Sequence, residues 1–226
     1  MILNCMSNLN IPLTNYISYD ASDIVIVSNI SHLHDYNLIK NFFKKFDYSK
    51  EIIFVPGVQD ILFDHEYKMN TEYTHNHYHR KFIRNIYNKI YDNELDIIIL
   101  RDDYIELDLE NIVSIYGQCY SNDYKFNNSE IHKYIYGNAH LKNESELENL
   151  RNNIKSCDIL ITSYPPYSIL DNNMGCKYLL NRVLNIKPKY HIFNGFDKSC
   201  KFIFNNINFI NSNIYNNNKK SIILSY

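Results

Sequence analysis

Short apolar runs that end in polar clusters recur along this chain. Ile2-Leu3-Asn4-Cys5-Met6 leads into Ser7-Asn8-Leu9-Asn10, Asp23-Ile24-Val25-Ile26-Val27 into Ser28-Asn29, and Ile52-Ile53-Phe54-Val55 into Pro56-Gly57-Val58-Gln59-Asp60. Further on, Cys157-Asp158-Ile159-Leu160-Ile161-Thr162 leads into Ser163-Tyr164-Pro165-Pro166, and Tyr190-His191-Ile192-Phe193 into Asn194-Gly195-Phe196-Asp197. Runs this short, bounded by turn formers, predict buried strands.

Between them the period changes to that of a helix. Asp35 to Phe46 places Leu38, Ile39, Phe42, Phe43 and Phe46 on one face, and Arg80 to Tyr91 repeats the pattern ahead of an apolar strand at Ile97 to Leu100. Ile112 to Cys119 predicts a strand, and Ser121 to His140, polar and aperiodic, a long loop. Asn143 with Glu146 forms a capping box that opens a helix through Leu147, Leu150 and Ile154. Leu179, Leu180, Val183 and Leu184 make a helical stripe that stops before Pro188. Lys201 to Asn211 and Ser221 to Tyr226 read as strands separated by the Asn-rich turn Tyr215 to Lys220. The expectation is one α/β domain over residues 1–226 with more than one sheet, its ligand crevice at the carboxyl ends of the strands.

Composition narrows the classes. Lys+Arg 23 against Asp+Glu 25 creates no field that would draw the chain to nucleic acid or an anionic membrane. No apolar run approaches the ~20 residues needed to span a bilayer. The first residues, broken by Asn4, Ser7, Asn8 and Asn10, lack the pattern of a signal peptide, so a cytoplasmic location is expected. Five scattered cysteines without a C-x-x-C pair read as reduced and mostly buried. The 21 tyrosines have no basic companion stripe and read as packing residues. Abundant Asn, Ile, Tyr and Lys is the bias that an AT-rich coding sequence imposes.

With the polar clusters in order, the chain resembles the calcineurin-like metallophosphoesterase superfamily, with its motifs D-x-H, G-D, G-N-H-[D/E], a His ahead of prolines, and G-H-x-H. It is most similar to the metallophosphoesterase-domain-containing proteins of animals. The words that carry this are Thr162-Ser163-Tyr164-Pro165-Pro166, Gly175-Cys176-Lys177-Tyr178-Leu179-Leu180, and Lys187-Pro188-Lys189-Tyr190-His191-Ile192-Phe193-Asn194-Gly195-Phe196-Asp197. The resemblance spans nearly the whole chain and implies a sandwich of two mixed β-sheets flanked by helices. It also implies that Asn8 and Asn10 stand at the first metal-binding Asp and His, and Asn29 at the bridging Asp. Val58 stands at the ligand Asn, Gln59 at the His that assists the leaving group, and Asp60 at the acidic position after it. Ser163, Gly195 and Asp197 stand where ligand histidines would be.

Those replacements change the chemistry. Two-metal hydrolysis needs cations about 3.5–4 Å apart that clamp phosphoryl oxygens and acidify a bound water. Carboxylates offset their mutual repulsion and imidazoles supply the nitrogen that transition metals favour. Amide oxygens bring no charge, so the pair would repel largely uncompensated. The expectation is a catalytically degenerate protein with Gln59 and Asp60 as vestiges of the catalytic apparatus and no resident metal. Its crevice, with Asn8, Asn10, Asn29, Gln59, Ser163 and Gly195, would serve as a binding module for a protein or a small phosphorylated ligand. The alternatives are an altered hydrolase that holds a divalent metal (Mn, Zn or Fe) through Asp60, Asp197, His32 or His34, and a nucleotide-binding protein without turnover. His75, His77 and His79 read as an exposed loop, His191 as a packed core histidine, and the acidic pairs from Asp102 to Asp108 as a solvated sheet edge.

Overall fold

A computed structural model describes residues 1–9, 22–30, 36–46, 49, 51–58, 60, 63–64, 96–122, 140–195, 199–214 and 221–226. The first sheet is built from β1 (Ile2–Ser7), β2 (Ile24–Ser28), β3 (Glu51–Val55), β4 (Ile98–Ile99) and β13 (Ile222–Ser225). Its order is β13-β1-β2-β3-β4, parallel except for β13, which closes the edge antiparallel to β1. The second sheet contains β5 (Asp102–Asp108), β6 (Ile112–Gln118), β9 (Ile159–Thr162), β10 (Tyr190–Phe193), β11 (Cys200–Phe204) and β12 (Ile207–Asn211). Its order is β11-β12-β10-β9-β6-β5, a parallel centre with an antiparallel strand at each edge. A two-stranded pair, β7 (Ser121–Asn122) with β8 (Leu141–Lys142), stands apart.

Alternation along the strands sorts the apolar residues into three layers. Leu3, Cys5, Ile24 and Ile26 from the first sheet meet Ile159 and Ile161 from the second, so the sheets share one central core. On the outer face of the first sheet, Val25, Val27 and Phe54 are covered by α1 (Tyr36–Phe43) and a short 3-10 turn at Lys44–Phe46. Phe54 packs edge-on against both Phe43 and Phe63, with ring centroids 5.6 and 4.7 Å away. On the outer face of the second sheet, Leu160, Phe193 and Phe209 are covered by Ile154, Leu179 and Val183, where α2 (Glu144–Asn152) and α3 (Lys177–Ile186) lie side by side.

The local signals explain the helix ends. Asn143 accepts from the Glu146 N–H while Glu146 accepts from the Asn143 N–H, the reciprocal box expected from sequence. Lys187 takes the left-handed conformation (φ 48°) and donates back to the Val183 carbonyl, ending α3 just before Pro188. One expectation changes. The stretch from Lys201 to Asn211 is a hairpin rather than one strand, because Asn205 and Asn206 both have positive φ (50° and 62°) and turn the chain between β11 and β12. Asp102–Asp108 is an edge strand on which Asp103, Glu106 and Asp108 are exposed, in line with the solvated-edge reading, while Asp102 is half-buried. The helix expected at Arg80 to Tyr91, the His75 to His79 tract and most of the loop from Ser121 to His140 lie outside the described residues. Among the described residues no helix is long and apolar enough to cross a membrane.

Candidate functional site

Because β1, β2 and β3 run parallel, as do β9, β10 and β12, the polar residues that follow them gather at corresponding strand ends. Backbone bonds stitch the two sheets together there. The Ser7 N–H donates to the Ser212 carbonyl (2.8 Å) and the Ile214 N–H to the Ser7 carbonyl (3.1 Å). Side chains continue the seam, with Ser7 Oγ donating to Asn194 Oδ1 (3.2 Å) and Ser212 Oγ to Ser7 Oγ (3.0 Å).

Asn8 and Asn29 leave their strands in the left-handed region, at φ 55° and 53°. Asparagine, like aspartate, is among the few residues other than glycine that enter this region readily, so the backbone suits a short polar side chain at both positions. Asn29 Nδ2 donates to Asn8 Oδ1 (3.2 Å), and Asn8 Nδ2 donates to Asn213 Oδ1 (3.4 Å). Asn213 Nδ2 donates to the Gly195 carbonyl (2.7 Å), and Asn211 Oδ1 accepts from the N–H groups of Gly195 (3.0 Å) and Asn213 (3.1 Å). A chain of amides thus runs from one sheet to the other. The space is close-packed: a Cβ on Gly195 would come within 2.5 Å of Asn211 Nδ2, and one on Gly57 within 2.6 Å of Asn29 Oδ1. A histidine at 195 is incompatible with this arrangement.

Asp60 is the carboxylate of the described crevice, and it is used by the backbone. Its two oxygens accept from the Ile30 N–H (2.9 and 3.1 Å), and Oδ2 accepts from the Gly57 N–H (2.7 Å). The acid therefore ties the loop after β2 to the loop after β3. Ser163 is likewise occupied, donating to the Cys119 carbonyl and lying 3.4 Å from Ser121 Oγ. Val58 is half-buried and offers no donor atom in its side chain. Asn10, His32, His34, Gln59 and Asp197 lie outside the described residues.

The described part of this donor set does not fit a pair of divalent cations. Asn29 turns its amide hydrogens to the Asn8 oxygen, the Asp60 carboxylate is shared by two backbone N–H groups, and among the described crevice residues no further charge offsets a second cation. Among the described residues no group of three or more His, Cys, Asp or Glu side chains is placed to hold a metal ion.

Beside the strand ends opens a cavity of about 900 Å³, reached by Val58, Ser163 and Asn194 from the crevice and walled by Tyr164, Tyr167 and Leu147. The loop from Ser163 to Gly175 that forms one wall is organised by Asp171. Its Oδ2 accepts from the N–H groups of Ser168 (2.8 Å) and Gly175 (2.7 Å), and its Oδ1 from that of Asn173 (3.0 Å). Tyr164 is pinned by donation of its hydroxyl to the Met174 carbonyl (2.8 Å). Among the described residues the charged groups lining the cavity are Glu144 and Lys177, and the Lys177 ammonium sits 5.1 Å from the centre of the Tyr167 ring.

Beneath this lies a charged network that sequence reading did not find. Arg151 is fully buried and donates to Gln118 Oε1 and to the Tyr120 carbonyl (2.7 Å). Gln118 Nε2 in turn donates to Asp102 Oδ1 (2.7 Å), which also accepts from the Tyr116 hydroxyl (2.8 Å). Burial depresses the Arg151 pKa, and burial together with the Asp102 contact raises that of Tyr116. His191, the expected core histidine, is buried 3.0 Å from Thr162 Oγ1, and burial with the nearby Arg151 charge pushes its pKa down to about 3. Asn211 and Asn213 were also missed. Their signal, an apolar run ending in Asn-Ser-Asn, was hidden because the hairpin before it read as a single strand.

A scan against protein-family models and a search of curated proteins found no match. Among solved structures, the chain is similar to TT1561 of Thermus thermophilus, with a TM-score of 0.57, 11% identity and coverage of 93% of this chain and 88% of the other. It is also similar to the phosphopantetheinyl hydrolase PptH of Mycobacterium tuberculosis, with a TM-score of 0.55, 10% identity and coverage of 96% and 90%. These likenesses establish the fold: a metallophosphoesterase-type sandwich of two mixed sheets flanked by helices.

Proposed function

We propose that this metallophosphoesterase-fold chain does not turn over phosphoesters and serves as a binding module. The observation that carries this reading is the amide chain from Asn29 through Asn8 and Asn213 to Gly195. Groups that would hold metals in a two-metal hydrolase are spent on one another. Asp60 fastens two loops instead of a cation.

The adjoining cavity, about 900 Å³, falls in the range of small-molecule sites, which are mostly apolar with a few polar groups that orient the ligand. Tyr164 and Tyr167 offer aromatic surface, and Ser163 and Asn194 offer polar contact at the crevice end. One acid and one base line it, so no cluster of cations is present among the described residues to balance several phosphates. A ligand with an aromatic body and a single polar end suits this wall.

The test is metal content, by elemental analysis of the full chain equilibrated with excess manganese and zinc and then desalted. Less than about 0.2 equivalents per chain is expected, against two for a working pair. About two equivalents, together with phosphodiesterase turnover that Asn29→Ala abolishes, would overturn the proposal. One equivalent with turnover lost on Asp60→Asn would replace it by the single-metal hydrolase.

A further inference from the structure

The second sheet ends at β11, the outermost strand of its order. Edge strands are ordinarily guarded by charge, proline or a bulge, because their unpaired N–H and C=O groups invite another chain. β11 carries little of that protection. Phe202, Ile203 and Phe204 follow one another on it and are 43, 69 and 42% exposed, and the rings of Phe202 and Phe204 stack with centroids 6.4 Å apart. The one charge on the strand, Lys201, is drawn aside to the Ile223 carbonyl (3.3 Å), which places β13, an edge of the first sheet, beside β11. Among the described residues, five of the seven large apolar side chains left exposed belong to β11, β13 and the neighbouring β1, so exposed apolar surface is concentrated on these strands.

Which backbone groups point outward follows from the turn. Asn205 and Asn206 close a two-residue hairpin, so Phe204 and Ile207 form a hydrogen-bonded pair, and alternation adds Phe202 with Phe209 and Cys200 with Asn211. The N–H and C=O groups of Lys201 and Ile203 therefore face away from β12, and among the described residues no backbone partner from outside the sheet meets them. The strand is then self-complementary about Phe202. A two-fold axis through Phe202 sets Lys201 of one copy opposite Ile203 of the other, on both sides of the axis, each pair exchanging both of its N–H···O bonds. Phe202 lies on the same face as its partner Phe209, the face covered by helices. There the axis brings Phe202 against the second copy's Phe202 and gathers the aromatic rings of both copies. A foreign segment would need a matching apolar pattern, whereas a second copy has it by construction. The formal net charge of -2 sets little repulsion against such an encounter.

We infer that β11 is a self-association edge through which two copies of this chain pair antiparallel, joining their six-stranded sheets into one across the two-fold axis. The area available sets the strength. A fully buried aromatic side chain removes ~150–250 Å² from water, so three large side chains about half exposed supply roughly 300 Å². With the backbone added, this stays below the ~800 Å² per partner of a standard interface. A dissociation constant on the order of 10–100 μM is expected, in the class of transient dimers.

The experiment is sedimentation equilibrium of the full chain from about 1 to 300 μM, where a rise from monomer toward dimer mass is expected. Ile203→Lys sets like charges opposite one another on both sides of the axis and should weaken the dimer about tenfold or more. Ile203→Glu faces Lys201 with the opposite charge and should pair at least about fivefold tighter than Ile203→Lys. In a Cys200→Ser background, Phe202→Cys should cross-link to a covalent dimer under a mild oxidant, because residue 202 meets itself on the axis. Ile203→Cys, which meets Lys201, should not. Monomer mass at every concentration overturns the inference, as does a dimer that a natively folded Ile203→Lys protein retains at full strength. A dimer that cross-links equally at 202 and 203, or at neither, overturns the register. Should a lysine or glutamate variant unfold, the two cysteine variants decide. None of these outcomes depends on metal content.

Discussion

The strand-end crevice and the interior around Arg151 are both polar and enclosed, yet they treat charge in opposite ways. In the crevice, amides and hydroxyls satisfy one another, and Asp60 gives its charge to backbone N–H groups. Around Arg151 a full positive charge is kept in the interior, linked to Asp102 only through the two ends of the Gln118 amide. A neutral network demands nothing beyond its own hydrogen bonds, whereas a buried cation is strongly penalised unless its neighbours compensate. On the proposed reading, the contrast is between a crevice held by neutral hydrogen bonds and a charge that lies a layer deeper.

Removing the relay is the severest way to break the comparison. Gln118→Leu would leave Arg151 and Asp102 without their shared partner, and a loss of about 3–5 kcal/mol in urea unfolding is expected. A loss below about 1 kcal/mol would show the two charges to be independent. The neutral side should cost less. Asn211→Ala deprives the Gly195 and Asn213 N–H groups of their acceptor, and a loss of about 2–3 kcal/mol is expected for two unsatisfied donors. An equal loss for the two variants would erase the distinction between charged and neutral networks.

A pH titration sharpens it further. His191 stays neutral in the folded protein down to about 3, from an ordinary 6.5, because of burial and the Arg151 charge. Its contribution is complete above pH 6.5 and is lost as pH falls, since the unfolded chain takes up a proton that the folded chain refuses. Between pH 7 and 5 this amounts to about 2 kcal/mol, a slope that ends near the folded value. His191→Gln, which keeps a partner for Thr162, should flatten that part of the stability curve. If the curve of the variant matches that of the unaltered protein, His191 is protonated in the fold.

How much was legible in the sequence follows the same division. The strands β1, β2, β3, β9 and β10 and the two capped helices announce themselves through local period and capping chemistry, which act within a few residues. So do the positions of Asn8, Asn29, Asp60, Ser163 and Gly195 at strand ends. What the sequence could not show is who answers whom. Arg151 lies on a helix that reads as ordinary and amphipathic, and its partners Gln118 and Asp102 sit on strands separated from it by 33 residues in the one directly bonded case. Asp60 reads in the sequence as a vestige of the catalytic apparatus, and only the fold reveals its tie to Ile30. The turn at Asn205-Asn206 was legible in principle, since paired asparagines between apolar runs favour positive φ.

The smallest effect bears on why Asn8 is an asparagine. Two causes act at this position: its backbone at φ 55°, which resists most side chains, and its contacts with Asn29 and Asn213. Asn8→Gly keeps the conformation open and gives up the contacts, while Asn8→Ala gives up the contacts and also strains the backbone. The residue is half-buried and its bond to Asn213 is long, at 3.4 Å, so the contacts contribute little beside the backbone preference. Asn8→Gly should therefore unfold within about 0.5 kcal/mol of the unaltered protein, and Asn8→Ala about 1 kcal/mol below the glycine variant. Equal losses for both would assign Asn8 to its hydrogen bonds, and the crevice would then depend on amide chemistry at its rim as well as at its centre.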